Sequence, residues 1–132
     1  MPFGVSSGWQ RQALPKPEIV SYPIETTVID SVVVTSEGVV EAASGSPYAG
    51  RRYLVQGTIL KDNGDGTYSK YAGTGTIAGI LFDTVEFADD TEASNEPVAM
   101  LRRNVSFNSA NIVDFDDYES DLVEALSTCE FV

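Results

Sequence analysis

Between residues 51 and 87 the chain reads RRYLVQGTILKDNGDGTYSKYAGTGTIAGILFDTVEF. Short apolar runs at 53–55, 58–60 and 77–82 alternate with glycine-rich polar stretches, and none carries a helical period. Asp62-Asn63-Gly64-Asp65-Gly66 is the sharpest turn signal, because Asn, Asp and Gly accept positive φ at low cost. It separates 58–60, the end of a strand expected over 53–60, from 67–71, and predicts a β-hairpin with a loop of about five residues. The strand pattern continues on both sides. Upstream, residues 26–34 are rich in Val, Ile and Thr. Glu37-Gly38 marks a turn, 39–43 is a candidate return strand, and 42–50 is a loop of small residues. Downstream, Gly73 and Gly75 turn the chain into a strand over 76–82, and 85–87 extends it or begins another. Residues 88–96 form an acidic loop expected to be exposed. A strand follows over 97–101, with Pro97 at its first position as an edge or strand start would allow. Arg102-Arg103-Asn104 interrupts it, and 105–107 resume.

Only the C-terminal part changes period. Phe115, Tyr118, Leu122, Val123 and Leu126 fall on one face of a helix expected from about 116 to 127. Asp114 or Asp116 can cap it, and acidic residues in its first turns suit the positive helix end. Residues 129–132 read as a terminal strand or tail. The expected fold is mainly β, a β-rich α+β chain. It has a small barrel- or sandwich-like core, one C-terminal helix and an extended N-terminal arm. Its parts are an arm at 1–25, a β segment and linker at 26–50, and a β-rich domain at 51–132.

The arm stands apart by composition. Four of the six prolines fall in it, and Pro15-Lys16-Pro17 holds the chain extended. Phe3, Val5, Trp9, Leu14, Ile19 and Tyr22 are scattered through it without a period. A solvated tail is usually poor in aromatics, yet this segment holds the only tryptophan. Two readings follow. Trp9 tucks onto its own domain, or the arm orders against another subunit with Trp9 as an anchor.

Charge narrows the function classes. The net charge is −12, and residues 82–132 carry thirteen acidic groups against two basic ones. Binding to nucleic acid through phosphates requires a basic face, so it is not expected. The acidic surface accounts for solubility. The chain has no histidine, which removes the commonest general base and metal ligand. With one cysteine, Cys129, no intrachain disulfide can form. The first residues show no basic region followed by an apolar core, so no signal peptide is expected. No apolar run approaches the ~18 residues of a membrane span.

No motif carries convincing chemistry. Gly73-Thr74-Gly75-Thr76-Ile77-Ala78 matches a relaxed dinucleotide fingerprint, but a strand rather than a helix follows it. Asp62–Gly66 read as a calcium loop would need Lys61 and Ala72 as first and last ligands, and neither can serve. Asn104-Val105-Ser106 fits a glycosylation sequon without any secretory signal. Cys129 lies near an acidic helix with no histidine to activate it. The pairs Asp89/Asp90 and Asp116/Asp117 fit a polar loop and a helix start. No catalytic residue, cofactor or metal is expected, and the chain does not read as an enzyme.

The order of features resembles the lambda-type phage head decoration proteins, which cement capsids. The resemblance rests on Gly57-Thr58-Ile59-Leu60, on Gly66-Thr67-Tyr68 with Tyr71, on Ala78-Gly79-Ile80-Leu81 and on Val98-Ala99-Met100-Leu101. It covers about residues 51–132, and the order and spacing of these short pieces carry it. It implies a compact β domain that assembles as a homotrimer on the three-fold axes of an icosahedral head. Its partner would be the major capsid protein, and its place the virion surface after synthesis in the host cytoplasm. In that family the N-terminal segment is loosely held in the free protein and adds to a capsid-protein sheet on binding. Here the region ahead of the core, about fifty residues, is longer than that pattern. Whether 26–43 belongs to the core sheet, the arm or a neighbour therefore stays open.

Two other classes remain. One is a virion or secreted β-domain that binds a receptor or glycan through the 88–96 loop or exposed tyrosines. The other is an enzyme built on carboxylates or a serine.

Overall fold

The structure, a computed structural model, describes residues 19–20, 29–36, 39, 51–87 and 94–132. The fold is mainly β. Strands β1 (Ile29–Thr35), β3 (Ile59–Asp62), β4 (Thr67–Lys70), β5 (Thr76–Leu81) and β7 (Asn95–Leu101) close into a barrel in the order β1-β4-β3-β5-β7. β1 runs antiparallel to β7 along its whole length, from Ile29↔Leu101 to Thr35↔Asn95. It meets β4 in parallel at Val33↔Thr67 and Val34↔Tyr68. Closure leaves these strands few free edges. It also answers part of the open question: residues 29–35 pair within their own subunit. The rest of 26–43, apart from Ser36 and Val39, lies outside the described residues, including most of the expected return strand.

The hairpin between β3 and β4 forms where the turn signal predicts. The Asp62 carboxylate accepts from the Gly64 N–H at 2.8 Å, and Asp65 accepts from the Thr67 N–H at 3.0 Å and hydroxyl at 2.7 Å. Gly64 and Gly66 have φ of 84° and 93°. The acidic side chains thus organise the turn itself.

Two apolar clusters flank the sheet. Val34, Leu60, Leu81 and Met100, from four strands of the barrel, fill its interior with Tyr68 of β4 against them. A short ribbon of β2 (Arg52–Leu54) and β6 (Val85–Phe87) adds Leu54 and Phe87 to this cluster. The second cluster lies on the other face. Ile59, Ile77, Ile80 and Leu101 meet Leu122 and Leu126 of helix α1 (Phe115–Ala125), together with Val105, Phe107 and Ile112. A bulge makes the two faces consistent. Leu60 opposes Gly79 and Lys61 opposes Ile77, so Ala78 has no direct partner. Ile77 and Ile80 therefore share the helix side although strict alternation would separate them. At Gly79 a Cβ would stand 2.6 Å from the Leu101 carbonyl oxygen, so only glycine fits the barrel there.

Several expectations needed correction. Residues 53–60 are not one strand. A turn intervenes, with the Thr58 N–H and hydroxyl both donating to the Val55 carbonyl, at 3.1 and 2.6 Å. Residues 85–87 form a strand of their own. Pro97 is the third residue of β7, not the first. It is tolerated because the β5–β7 ladder is confined to Ile80↔Leu101 and Leu81↔Met100, leaving Pro97 paired with β1 alone. The helix starts one residue early, after Asp114 in a left-handed conformation without a side-chain cap. Val123, expected on the buried face, is 52% exposed, because Leu122 and Leu126 already define the stripe that meets the barrel. Glu130–Phe131 form β9, which pairs in parallel with β8 (Ser106–Phe107).

Candidate functional site

Ile19 is 1% exposed and packs in the helix-side cluster. Its carbonyl accepts from the Asn108 N–H at 2.8 Å, and the Val20 carbonyl accepts from the Asn108 side-chain amide at 3.1 Å. Val20 also bridges Phe107 in antiparallel fashion. The N-terminal segment is thus rooted as a minimal strand on β8. Burying one isoleucine contributes about 1.5–3 kcal/mol, enough to fix a short root.

The C-terminal part of the chain builds the seat. The Phe107 ring is fully buried and stacks on Phe131 with centroids 5.4 Å apart, and Phe115 lies 5.6 Å from Phe131. Hydrogen bonds from Glu130 N–H to the Val105 carbonyl and from Val132 N–H to the Phe107 carbonyl, both 2.9 Å, lock β9 to this strand. Gly57 completes the seat from the barrel side at φ 98°. A Cβ there would stand 2.4 Å from the Asn111 carbonyl oxygen and 3.2 Å from the Ile19 Cγ2 atom.

Ile19 therefore corrects the sequence reading. It was grouped with the arm's partner-contacting residues, yet it is a core residue of its own subunit. Its burial among Phe107, Val105 and Ile112 leaves it nothing to offer a partner. Phe3, Val5, Trp9, Leu14 and Tyr22 lie outside the described residues. The seat residues Gly57, Phe107 and Asn108 were missed. One signal was available: Ile19-Val20 is a β-branched pair set between Pro17 and Pro23, the composition of a short strand with breakers at both ends.

The surface electrostatics follow from where the bases are used. Asp30 on β1 takes Arg102 at 2.6 Å and Arg103 at 2.9 Å. The hydrogen bond from Arg103 holds its carboxyl below the ordinary 3.8, with both guanidinium charges assisting and burial opposing. Arg51 forms a two-point pair with Glu86 at 2.7 and 2.6 Å across the β2–β6 ribbon. Arg52 donates to the carbonyls of Ser36 and Val39, tying the chain after β1 to β2. Among the described residues, four of the six basic ones, Arg51, Arg52, Arg102 and Arg103, are thus engaged in internal contacts. Asp116, Asp117, Glu119, Asp121 and Glu124 lie exposed along α1. The Tyr71 hydroxyl donates to Asp121 at 3.1 Å, and burial, reinforced by that carboxylate, pushes the phenol pKa up.

The remaining motifs resolve into structure. Gly73 and Gly75 turn into β5, so no helix follows them. Val105 and Ser106 of the sequon are buried. Cys129 packs, half-buried, on the helix-side cluster. Asp116 and Asp117 occupy the first turn of α1, while Asp89 and Asp90 lie outside the described residues. Among the described residues no group of three or more His, Cys, Asp or Glu could hold a metal ion, and no helix is long and apolar enough to cross a membrane. A groove of about 510 Å³ runs between the outer edge of β7 and the corner before β6. Comparison with protein-family models finds no match, and comparison with the curated proteins finds none.

Proposed function

We propose that this chain is a structural virion protein that binds the outside of an expanded icosahedral phage capsid as a homotrimer and stabilises it. In this reading the β body sits on the shell, and the segment ahead of Ile19 adds to a sheet of the major capsid protein. The observation that supports it is the root. Ile19–Val20 fixes one point of the N-terminal segment on the body, and eighteen residues carrying Phe3, Val5, Trp9 and Leu14 precede that point. Fully extended, eighteen residues reach up to roughly 60 Å, enough to cross a neighbouring subunit. Fixing the root lowers the entropy lost when the arm is captured, and three arms on one trimer multiply the gain. Stabilisation is mass action: a protein that binds only the expanded shell favours that state.

The root sets the cut that tests this. Removing residues 1–25 would delete a core side chain. Removing 1–18 leaves Ile19 seated. The proposal expects the 1–18 deletion to keep the full chain's cooperative unfolding and to lose co-sedimentation with expanded capsids. A truncated chain that decorates heads like the full one sinks the arm mechanism.

A further inference from the structure

β7 is paired unequally on its two sides. Toward β1 the ladder runs its whole length, from Asn95 to Leu101, but toward β5 it is confined to Leu101 and Met100. One further bond, from the Phe82 N–H to the Ala99 carbonyl at 2.9 Å, ends that contact. The chain then turns off at Asp83, while β7 continues back to Asn95. Successive peptide groups of a strand point to opposite sides. Those of Ala99, Pro97 and Asn95 therefore face away from β1, and the bond from the Ser36 N–H to the Ser94 carbonyl on the other side fits this alternation. Among the described residues the Ala99 N–H, the Pro97 carbonyl and the Asn95 N–H and carbonyl meet no partner on that side. Pro97 suits such a position, because a group that faces no neighbouring strand needs no donor. Beside this open stretch lies the groove of about 510 Å³, with Pro97 and Ala99 on one wall and Thr84 and Val85 on the other. Clefts that hold ligands span about 300–1,000 Å³. Asp83 stands exposed at the rim, and none of the described residues lining the groove is basic.

We propose that this groove binds an extended, basic segment of a partner protein, which adds as a strand to the open edge of β7. Two observations set the chemistry. The unpaired peptide groups recur at every second residue, roughly 7 Å apart, and another extended backbone presents donors and acceptors at that same repeat. The carboxylate of Asp83 then selects a Lys or Arg on the incoming segment, and a body of net charge −12 draws such a segment in. The segment takes up the line of β5 where Phe82 leaves it. Its carbonyls accept from the N–H groups of Ala99 and Asn95, and its N–H groups donate to the carbonyls of Pro97 and Asn95. Opposite Pro97 it meets no donor, which keeps the ladder short and guards the edge against indiscriminate pairing. Ile29, Val85 and Ala99 line the groove and favour small or β-branched side chains on the face turned toward them. The inference goes beyond the proposed function: it assigns a receiving surface on the body, whereas that reading uses the segment ahead of Ile19.

The probe is a short blocked peptide of alternating Val and Thr with a lysine at each end, titrated into the full chain at low salt. Nuclear magnetic resonance follows amide shifts and hydrogen exchange. In the free chain the Ala99 amide should exchange fast, as an unpaired group does, and the Met100 amide slowly, because it pairs with β1. Saturating peptide should slow the Ala99 amide at least ~10-fold. Asp83→Asn should weaken the peptide about 2–5-fold, the range of an exposed ion pair. Ser31→Trp fills the groove from an exposed position on β1 and should weaken it at least ~10-fold. The same peptide N-methylated throughout keeps its lysines but loses its donors, and should not bind. An Ala99 amide as protected as Met100 in the free chain overturns the inference, because another part of the same chain then holds the edge. Binding that leaves Ala99 unprotected also overturns it, since the lysines would then merely meet the acidic face of α1. So do an N-methylated peptide that binds as well, an Asp83→Asn chain that binds unchanged, and no binding at millimolar peptide. The exchange readout needs no variant, so it decides the matter if Ser31→Trp disturbs folding. None of these measurements uses capsids: failure here leaves the proposed function standing, and capsids that stay bare leave this groove standing.

Discussion

Replacing Gly57 with alanine tests how the barrel, the C-terminal loop and the root are held together. Three costs add. A non-glycine residue held at φ near +98° is strained by about 1–3 kcal/mol. The new Cβ would stand 2.4 Å from the Asn111 carbonyl oxygen, which is backbone and cannot rotate away. Restoring an ordinary contact moves the loop by about 1 Å, at an overpacking cost of about 1–3 kcal/mol. That movement also stretches the Val113 N–H bond to the Gly57 carbonyl, 3.1 Å long, worth about 1 kcal/mol. The expected loss is about 3–7 kcal/mol. Gly64→Ala is the control: φ is also positive, at 84°, but nothing lies within 4 Å of the added Cβ. That variant should lose only the backbone strain, about 1–3 kcal/mol. Urea unfolding of both variants, with m-values compared to exclude a change in the unfolded state, measures the difference. If the two variants fall within about 0.5 kcal/mol of each other, the close packing of Gly57 under Asn111 and Ile19 is not what holds this region.

Further outcomes follow from the same geometry. Ile19→Ala should destabilise the body by about 2–4 kcal/mol, whereas deleting residues 1–18 should change unfolding by less than about 0.5 kcal/mol; a large loss on deletion would place Trp9 on its own domain. Leu122→Ala should cost about 2–5 kcal/mol and Val123→Ala next to nothing, as thermal melts of both will report. Asp30→Asn should be less stable than wild type at neutral pH. Because the folded carboxyl titrates below 3.8, that gap is full above the unfolded pKa and closes as pH falls through the depressed folded value. Paired urea titrations from pH 7 to pH 2 check the sign, and a gap that widens in acid would contradict it.

Much of the β architecture was legible because local chemistry dictates it. Asp62 to Gly66 allow few conformations besides a tight turn, and the β-branched runs on either side supply strands. What the residues could not show was long-range pairing. In residues 53–60 only Gln56-Gly57 interrupts the apolar positions, and the turn there depends on Gly57 meeting Asn111 across the fold. The bulge at Ala78 was equally hidden, because a one-residue shift appears only once β3 is laid against β5. Val123 was misplaced because helical period alone cannot say how wide a stripe the barrel will cover. Most of the expected arm lies outside the described residues, and its one described point, the root at Ile19–Val20, was not anticipated. Two β-branched residues become a strand only when Phe107 and Asn108, far along the chain, arrive to pair with them.

The most direct test of the central claim is a binding titration on expanded capsids of the cognate head, with sedimentation separating bound from free protein and a thermal melt of the shell on each sample. The account predicts saturable binding in multiples of three, a shell melting temperature that rises with occupancy, and loss of both when residues 1–18 are removed. Capsids that sediment bare at micromolar protein, or that melt at the same temperature when coated, would contradict it.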